Sequence, residues 1–227
     1  MQNSHILRDF NAAITSLREE VLTMAQQSRH NLARAVEALL TRDIDLANTV
    51  IGDDNEVDDM ERSVDRLGLD TLVRFHPMAG DLRLVLSSMK ISVNLERISD
   101  NATTIAKRAR KLARREELPD RILIEPVYQL ADHLLGDAIR AYSEHDPELA
   151  LGLHDRDRKL NKLHKTVTAK LSQRIEESEG RCEDYLHLVF VVRSLERVGD
   201  LAVNVGEDTV FIEAAKDVRH EEDRTLS

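Results

Sequence analysis

The hydrophobic positions of this chain recur every three or four residues over most of its length, which is the period of an amphipathic helix. Turn-forming residues divide the pattern into about six helical stretches, near 4–41, 43–76, 78–115, a fourth ending near 144, 146–178 and 180–216. The third stretch carries the clearest apolar stripe, formed by Leu84, Ile91, Leu95, Ile98, Ala102, Ile105, Ala109 and Leu112. The pattern therefore predicts an all-α protein.

Two helix starts and one helix end carry local signals. Asp43 is a good N-cap for the second stretch, and His76-Pro77 should end it, because the residue before a proline leaves the helical region. Asp146-Pro147-Glu148 supplies an N-cap, a proline at the first helical position and an acid in the first turn.

The two halves of the chain are related by an internal duplication. Leu95-Glu96-Arg97-Ile98-Ser99-Asp100 recurs one hundred residues later as Leu195-Glu196-Arg197-Val198-Gly199-Asp200. The segment 35–47 recurs 103 residues later, at 138–150. The difference of three residues falls between the second and third helices of each copy, where a loop tolerates a change in length. We therefore expect two tandem three-helix bundles, over 1–116 and 119–218, and a flexible tail over 219–227.

Carboxylates gather on one face of the second helix. Asp54, Asp58, Glu61 and Asp65 follow one another at steps of four, three and four residues, so they share a helical face. Like charges at these steps repel, and either a bound cation or solvent must offset the repulsion. In the second copy Asp157, Asn161 and His164 occupy the spacing of Asp54, Asp58 and Glu61, and all three residue types bind metals.

The repeated six-residue segment adds a second pair of carboxylates in each copy. Glu96 and Asp100, like Glu196 and Asp200, are four residues apart and lie on one helical face at the edge of an apolar stripe. Such carboxylates suit oxygen-preferring cations. The alternative is a ladder of ion pairs within the helix, because Arg97, Arg193 and Arg197 each precede one of these acids by three residues.

Composition limits the function classes. A net charge of −10 argues against nucleic acid as the main partner, and a single cysteine excludes disulfides within the chain. The apolar runs are shorter than the roughly 20 residues of a spanning helix, and the first ten residues do not resemble a signal peptide. We expect a cytoplasmic protein without direct membrane insertion. Nucleotide-binding, HExxH and nucleophile–base motifs are absent, so a metal-dependent enzyme, such as a carboxylate-bridged oxidase or phosphatase, is the least favoured alternative, and we expect a protein that is not an enzyme.

The two Glu-Arg-hydrophobic-x-Asp segments resemble the PhoU family, whose two repeats carry such a segment on the third helix. Asp81-Leu82-Arg83 and Asp54-x-x-Val57-Asp58-x-x-Glu61 also resemble the family pattern. The resemblance covers the chain from about residue 10 to about residue 213. This sequence departs from the pattern at Ser99, which replaces a glycine, and at Asn161 and His164, which replace acids.

The resemblance implies two three-helix bundles with approximate two-fold symmetry and a homodimer. It also implies a negative regulator of phosphate uptake and of the phosphate-starvation response, an adaptor between the phosphate ABC transporter ATPase and a membrane sensor kinase. Metal ions of uncertain identity (Fe, Zn, Mn or Mg) would bind at two sites: Glu96, Asp100, Asp54, Asp58 and Glu61 at the first, and Glu196, Asp200, Asp157 and His164 at the second. The alternative is a helical interaction module whose acidic faces bind a basic partner without metal.

Overall fold

The protein consists of helices and short connections. The computed structural model describes residues 2–178 and 180–219, with side chains from residue 6 onward, and this range contains no strand. The all-α prediction is confirmed. The helices are α1 (Gln2–Thr41), α2 (Ile44–Gly52), α3 (Asp54–Phe75), α4 (Ala79–Ala113), α5 (Ile124–Glu144), α6 (Pro147–Leu151), α7 (Leu153–Glu177) and α8 (Cys182–Ala214), with a 3-10 helix at Pro119–Leu123.

Two stretches that the pattern predicts as single helices are each divided in two. The second stretch breaks after Gly52 into α2 and α3, and the fifth breaks at Gly152 into α6 and α7. Glycine in a helix interior is unfavourable by about 1 kcal/mol relative to alanine, so both breaks occur where the helix is weakest. Gly52 and Gly152 were the residues in the sequence that could have predicted these two breaks. The predicted tail begins at Arg219, which is exposed, and residues 220–227 lie outside the described part of the chain.

Both predicted N-caps are confirmed. The Asp43 carboxylate accepts a hydrogen bond from the Leu46 amide at 2.9 Å, and the Asp146 carboxylate accepts one from the Leu149 amide at 2.9 Å. Each cap follows a residue in the left-handed region, Arg42 or His145. The tight turn between the first two helices of a repeat is therefore the same in both copies.

Alanine at either cap should destabilise the protein by about 1 kcal/mol, because a helix N-terminal amide then loses its partner. The two substitutions Asp43→Ala and Asp146→Ala should add, since they lie in different repeats. Urea unfolding measures the effect. Asp70→Ala is the control, because it removes an exposed acid whose ion pair with Arg74 contributes little. Equal losses at Asp43 and Asp70 would contradict the assigned caps.

Each repeat forms a three-helix bundle, with α1, α3 and α4 in the first and α5, α7 and α8 in the second. The predicted stripe of α4 is buried along its whole length, from Leu84 to Leu112. The bundles are not separate bodies, because α4 packs on α8 and α1 packs on α5, and one hydrophobic core continues through both. None of the helices in the described residues is long and apolar enough to cross a membrane.

The repeats are related by an approximate two-fold axis. The Arg18 guanidinium donates to the Tyr142 carbonyl at 3.1 Å in the last turn of α5, and its counterpart Arg121 donates to the Leu40 carbonyl at 3.1 Å in the last turn of α1. Arg29 and Asp132, which are also counterparts in the duplication, bind each other through two hydrogen bonds of 2.6 and 2.7 Å. The axis therefore passes close to this ion pair.

Candidate metal centre on paired carboxylate faces

The first carboxylate face lies between α3 and α4. Burial and the neighbouring carboxylates of Asp100, Glu61 and Asp58 raise the pKa of Glu96 to about 7. Burial, with Asp54 and Asp58, also raises the pKa of Asp100. Because neighbouring carboxylates raise one another's pKa, Asp54, Asp58 and Glu61 of α3 are close enough to Glu96 and Asp100 of α4 to affect their ionisation.

Few positive charges compensate the first face. Burial, Asp65 and Asp58 raise the pKa of Glu61, and Arg62 lowers it only in part. Lys107 likewise lowers the pKa of Asp100 only in part. We infer that the first face carries more negative charge than its own basic neighbours neutralise.

The first face also has a polar anchor that the sequence did not reveal. The Thr103 hydroxyl, one turn beyond Asp100 on α4, donates a hydrogen bond to the Asp54 carboxylate at 3.0 Å. This bond holds the start of α3 against α4 and fixes the orientation of Asp54.

The ladder of ion pairs within the helices does not form. Across the described residues, no ion pair joins Arg97 to Asp100, Arg193 to Glu196 or Arg197 to Asp200. Arg97 and Arg197 instead line a cleft between α4 and α8. Within the described residues these acids therefore form no direct ion pair with the arginine three positions before them, although Arg197 is near enough to lower the pKa of Asp200 in part.

The second face lies between α7 and α8 and is less acidic. Burial, Glu196 and Asp157 raise the pKa of Asp200 to about 6. The Asn161 amide donates to the Asp157 carboxylate at 2.6 Å, so this predicted position serves as a hydrogen-bond donor. No hydrogen bond within the described chain connects His164 to Glu196 or Asp200. The second face thus has three neighbouring carboxylates, Glu196, Asp200 and Asp157, where the first has five.

Gly199 and Ser99 mark a difference in helix spacing between the repeats. A Cβ atom at Gly199 would overlap the Leu160 side chain and lie 3.0 Å from Asp157 Oδ1, so α7 approaches α8 closely there. In the first repeat the Ser99 hydroxyl accepts a hydrogen bond from the Asn31 amide at 3.3 Å. The side of the helix behind each pair of acids is therefore packed differently at Ser99 and at Gly199.

The two repeated segments face a common cleft between α4 and α8. Asp100 and Asp200 line one polar cleft of about 590 Å³, together with Arg97, Arg197 and Lys107. The cleft forms because α4 and α8 run antiparallel: Arg83 near the start of α4 donates to the Phe211 carbonyl near the end of α8 at 3.1 Å. The sequence placed the two segments on equivalent helices but did not show that they face a common cleft.

The donor set determines which cations fit. Over residues 2–178 and 180–219, no three His, Cys, Asp or Glu side chains form a ready-made metal-binding cluster. The first face supplies carboxylate oxygens alone, which suits Mg²⁺, Mn²⁺ or iron better than Zn²⁺. The converging carboxylates therefore fit a cation that keeps several water ligands, and less well one enclosed by protein.

Comparison with known proteins finds the same protein family in each of the two repeats. The PhoU domain model matches residues 21–109 and again residues 124–209, so that both repeats are covered. The chain belongs to the PhoU family. It is 33% identical over 217 residues to the phosphate-specific transport system accessory protein PhoU homolog of Pseudomonas putida, which covers 95% of this chain and 85% of the relative.

Further PhoU relatives agree in sequence and fold. The identity is 30% over 218 residues to the phosphate-specific transport system accessory protein PhoU of Escherichia coli K12, across 96% of this chain and 90% of that protein. The crystal structure of PhoU from Pseudomonas aeruginosa superposes with a TM-score of 0.88 at 30% identity, and covers 91% of this chain and all of the other. The resemblance inferred from the repeated segments is confirmed.

Proposed function

We propose that this PhoU protein is a cytoplasmic negative regulator of phosphate uptake and of the phosphate-starvation response. It acts as a homodimeric adaptor between the phosphate ABC transporter ATPase and a membrane sensor kinase. The observation that supports the proposal is the match to relatives named as accessory proteins of the phosphate-specific transport system over more than nine-tenths of the chain. Because both repeats are matched, the similarity to these accessory proteins is not limited to one half of the chain.

We expect a strain that lacks this protein to express alkaline phosphatase and take up phosphate constitutively in high phosphate. Alkaline phosphatase activity measures the response, and the wild-type gene supplied in trans should restore repression. Normal repression in the deletion strain, in an organism with a single copy of the gene, would contradict the proposed role.

The carboxylate faces would hold divalent cations in this regulator. Glu96 and Asp100 on α4, with Asp54, Asp58 and Glu61 on α3, would bind at the first face, where burial and then mutual repulsion raise the pKa of Glu96 and Asp100. Glu196, Asp200, Asp157 and His164 would form the second. A bound cation would neutralise charge that Lys107 and Arg62 leave uncompensated, and would thereby stabilise α3 against α4.

Glu96→Ala/Asp100→Ala should remove most of the metal that co-purifies with the protein, because it deletes both α4 ligands of the richer face. Glu196→Ala/Asp200→Ala should remove less. Elemental analysis after aerobic and anaerobic purification measures the content. Glu144→Ala/Glu148→Ala is the matched control, since it removes two exposed acids outside both faces. Metal at background level in the wild-type protein under both conditions would contradict metal binding.

A second candidate is binding of a basic partner by the acidic faces without metal. It is favoured by the exposure of Asp100 and Asp200 and by the lack of a ready-made ligand cluster in the described residues. It predicts partner binding that falls with salt and does not respond to chelators. Metal-dependent binding would weaken with chelator at constant salt, which separates the two candidates.

A further inference from the structure

A cationic cleft lies where α1 meets α5 and α7, and none of the acids assigned to the two carboxylate faces lines it. It has a volume of about 620 Å³ and is lined by residues of α1, α5 and α7, among them Arg29, Asp137, Arg140, Arg156 and Lys159. Arg29 is balanced by Asp132 just beside it. Four cationic side chains thus face two carboxylates, which leaves an excess of two positive charges. This excess is unexpected in a protein of net charge −10.

The arginines of the cleft are held in place and still reach solvent. Arg29 is fixed on Asp132 by two hydrogen bonds of 2.6 and 2.7 Å. Asp137 is shared by Arg140, at 2.8 Å, and by Arg156. The three arginine side chains nevertheless remain between 42% and 53% exposed. Because their carboxylate partners fix them before any ligand arrives, little side-chain freedom would be lost on binding.

Gly136 and Lys159 complete the cleft. A Cβ atom at Gly136 would lie 3.0 Å from Cζ of Arg29, so the glycine allows this guanidinium to lie directly against α5. Lys159 is exposed and makes no ion pair with any other residue in the described ranges. The cleft therefore contains a cation whose charge the fold leaves uncompensated.

The duplication shows that the fold does not require this positive charge. Arg34 and Asp53 of the first repeat form an ion pair, and their counterparts 103 residues later, Asp137 and Arg156, form the same pair with the charges exchanged. The contact of α1 with the start of α3, and of α5 with the start of α7, is thus satisfied whichever helix carries the positive charge.

Two further counterparts are inverted at the same place. Glu37 of the first repeat corresponds to Arg140, and Glu56 corresponds to Lys159. The first repeat therefore presents an excess of two negative charges where the second presents an excess of two positive ones. Three acids of the first repeat are thus replaced by basic residues around one cleft in the second repeat, namely Glu37 by Arg140, Asp53 by Arg156 and Glu56 by Lys159. Packing alone does not explain these three replacements.

We propose that this cleft binds a phosphate group, as free inorganic phosphate or as part of a larger phosphorylated ligand. The planar fork of arginine matches the oxygens of a phosphate, and lysine adds a point charge. The excess of two positive charges matches a phosphate dianion, whereas a single carboxylate would neutralise only half of it. The volume leaves room for more than one phosphate. The cleft contains none of the carboxylates assigned to the metal sites, so the two proposals can be tested separately.

Calorimetric titration of the purified full chain, in buffer with a chelator and low salt, tests the proposal. The probes are inorganic phosphate and inorganic triphosphate. Lys159→Glu and Arg140→Glu place the first-repeat residues in the cleft and should each weaken binding about tenfold or more, since each removes one charged hydrogen-bond donor and adds repulsion. Lys170→Glu makes the same charge change on α7 outside the cleft and should leave binding within about twofold.

Each outcome decides the proposal. Binding of both probes that Lys159→Glu weakens supports free phosphate as a ligand, and binding of triphosphate alone supports a larger phosphorylated ligand. No binding of either probe to the wild-type protein overturns the proposal. So does an equal effect of Lys159→Glu and Lys170→Glu, with circular dichroism showing that both variants are folded. If Lys159→Glu instead changes only the sedimentation coefficient, the cleft contacts the acidic counterpart surface of a second copy, and the proposal is wrong.

Discussion

Replacing Gly206 with valine is expected to destabilise the protein by about 2–3 kcal/mol, because the position has no room for a side chain. A Cβ atom there would overlap the Leu153 side chain and lie 3.3 Å from the Ala150 carbonyl oxygen. Leu153 is fully buried, and the carbonyl belongs to the backbone of α6, so neither can move aside easily. The clash should therefore separate α8 from the α6–α7 turn.

Urea unfolding followed by circular dichroism measures the loss. Gly52→Val is the control, since Gly52 is also a helical glycine, at the end of α2, but nothing lies within 4 Å of its Cβ position. The control should change stability by less than about 0.5 kcal/mol. A similar loss in both variants would mean that backbone freedom, not packing, explains the cost at Gly206.

Gly206 also shows what the sequence could not predict. Its counterpart in the first repeat is Ala106, which is fully buried, so the two repeats differ in how closely their helices approach. The duplication made the repeats look interchangeable, since hydrophobic periodicity reports which face of a helix is buried and not the distance to its neighbour. The helical content, both N-caps and the α4 stripe followed from local patterns, because each depends on residues within one helix, whereas the breaks at Gly52 and Gly152 were not predicted.

The candidate site shows the same division. The step of four residues placed Glu96 beside Asp100 on one face, and Asp100 is one of the groups that raise the pKa of Glu96. Their convergence with α3 also followed from sequence, because the acid face of α3 lies next to its apolar stripe. The common cleft of Asp100 and Asp200 did not follow, since it depends on the antiparallel crossing of α4 and α8. The charge-inverted cleft at Arg140 and Lys159 likewise needed the spatial arrangement of α1, α5 and α7.

Glu96→Gln is expected to stabilise the metal-free protein above pH 7 by about 1 kcal/mol, a value discounted for the solvent that screens this partly exposed carboxyl. The pKa of Glu96 is raised from 4.5 to about 7, first by burial and then by Asp100, Glu61 and Asp58. Between these two values the folded chain holds a proton that the unfolded chain releases, so stability falls as the pH rises. Glutamine never ionises, so the variant escapes this part of the loss.

A divalent cation should make the wild-type protein more stable than Glu96→Gln, the reverse of their order without metal. With chelator present, thermal unfolding between pH 5 and 8 should show that the wild type loses stability with rising pH more steeply than Glu96→Gln does. Glu56→Gln is the control, because Glu56 is an exposed acid that does not contribute to the raised pKa of Glu96, and it should follow the wild type. With Mn²⁺ or Mg²⁺ at about 100 times its dissociation constant, the wild type should gain ~2.7 kcal/mol. Glu96→Gln should gain much less, because it lacks one α4 ligand. Parallel curves of stability against pH for the wild type and Glu96→Gln would contradict the raised pKa of Glu96. Equal gains in stability with cation would place the metal elsewhere. The raised pKa and the metal site can therefore fail independently.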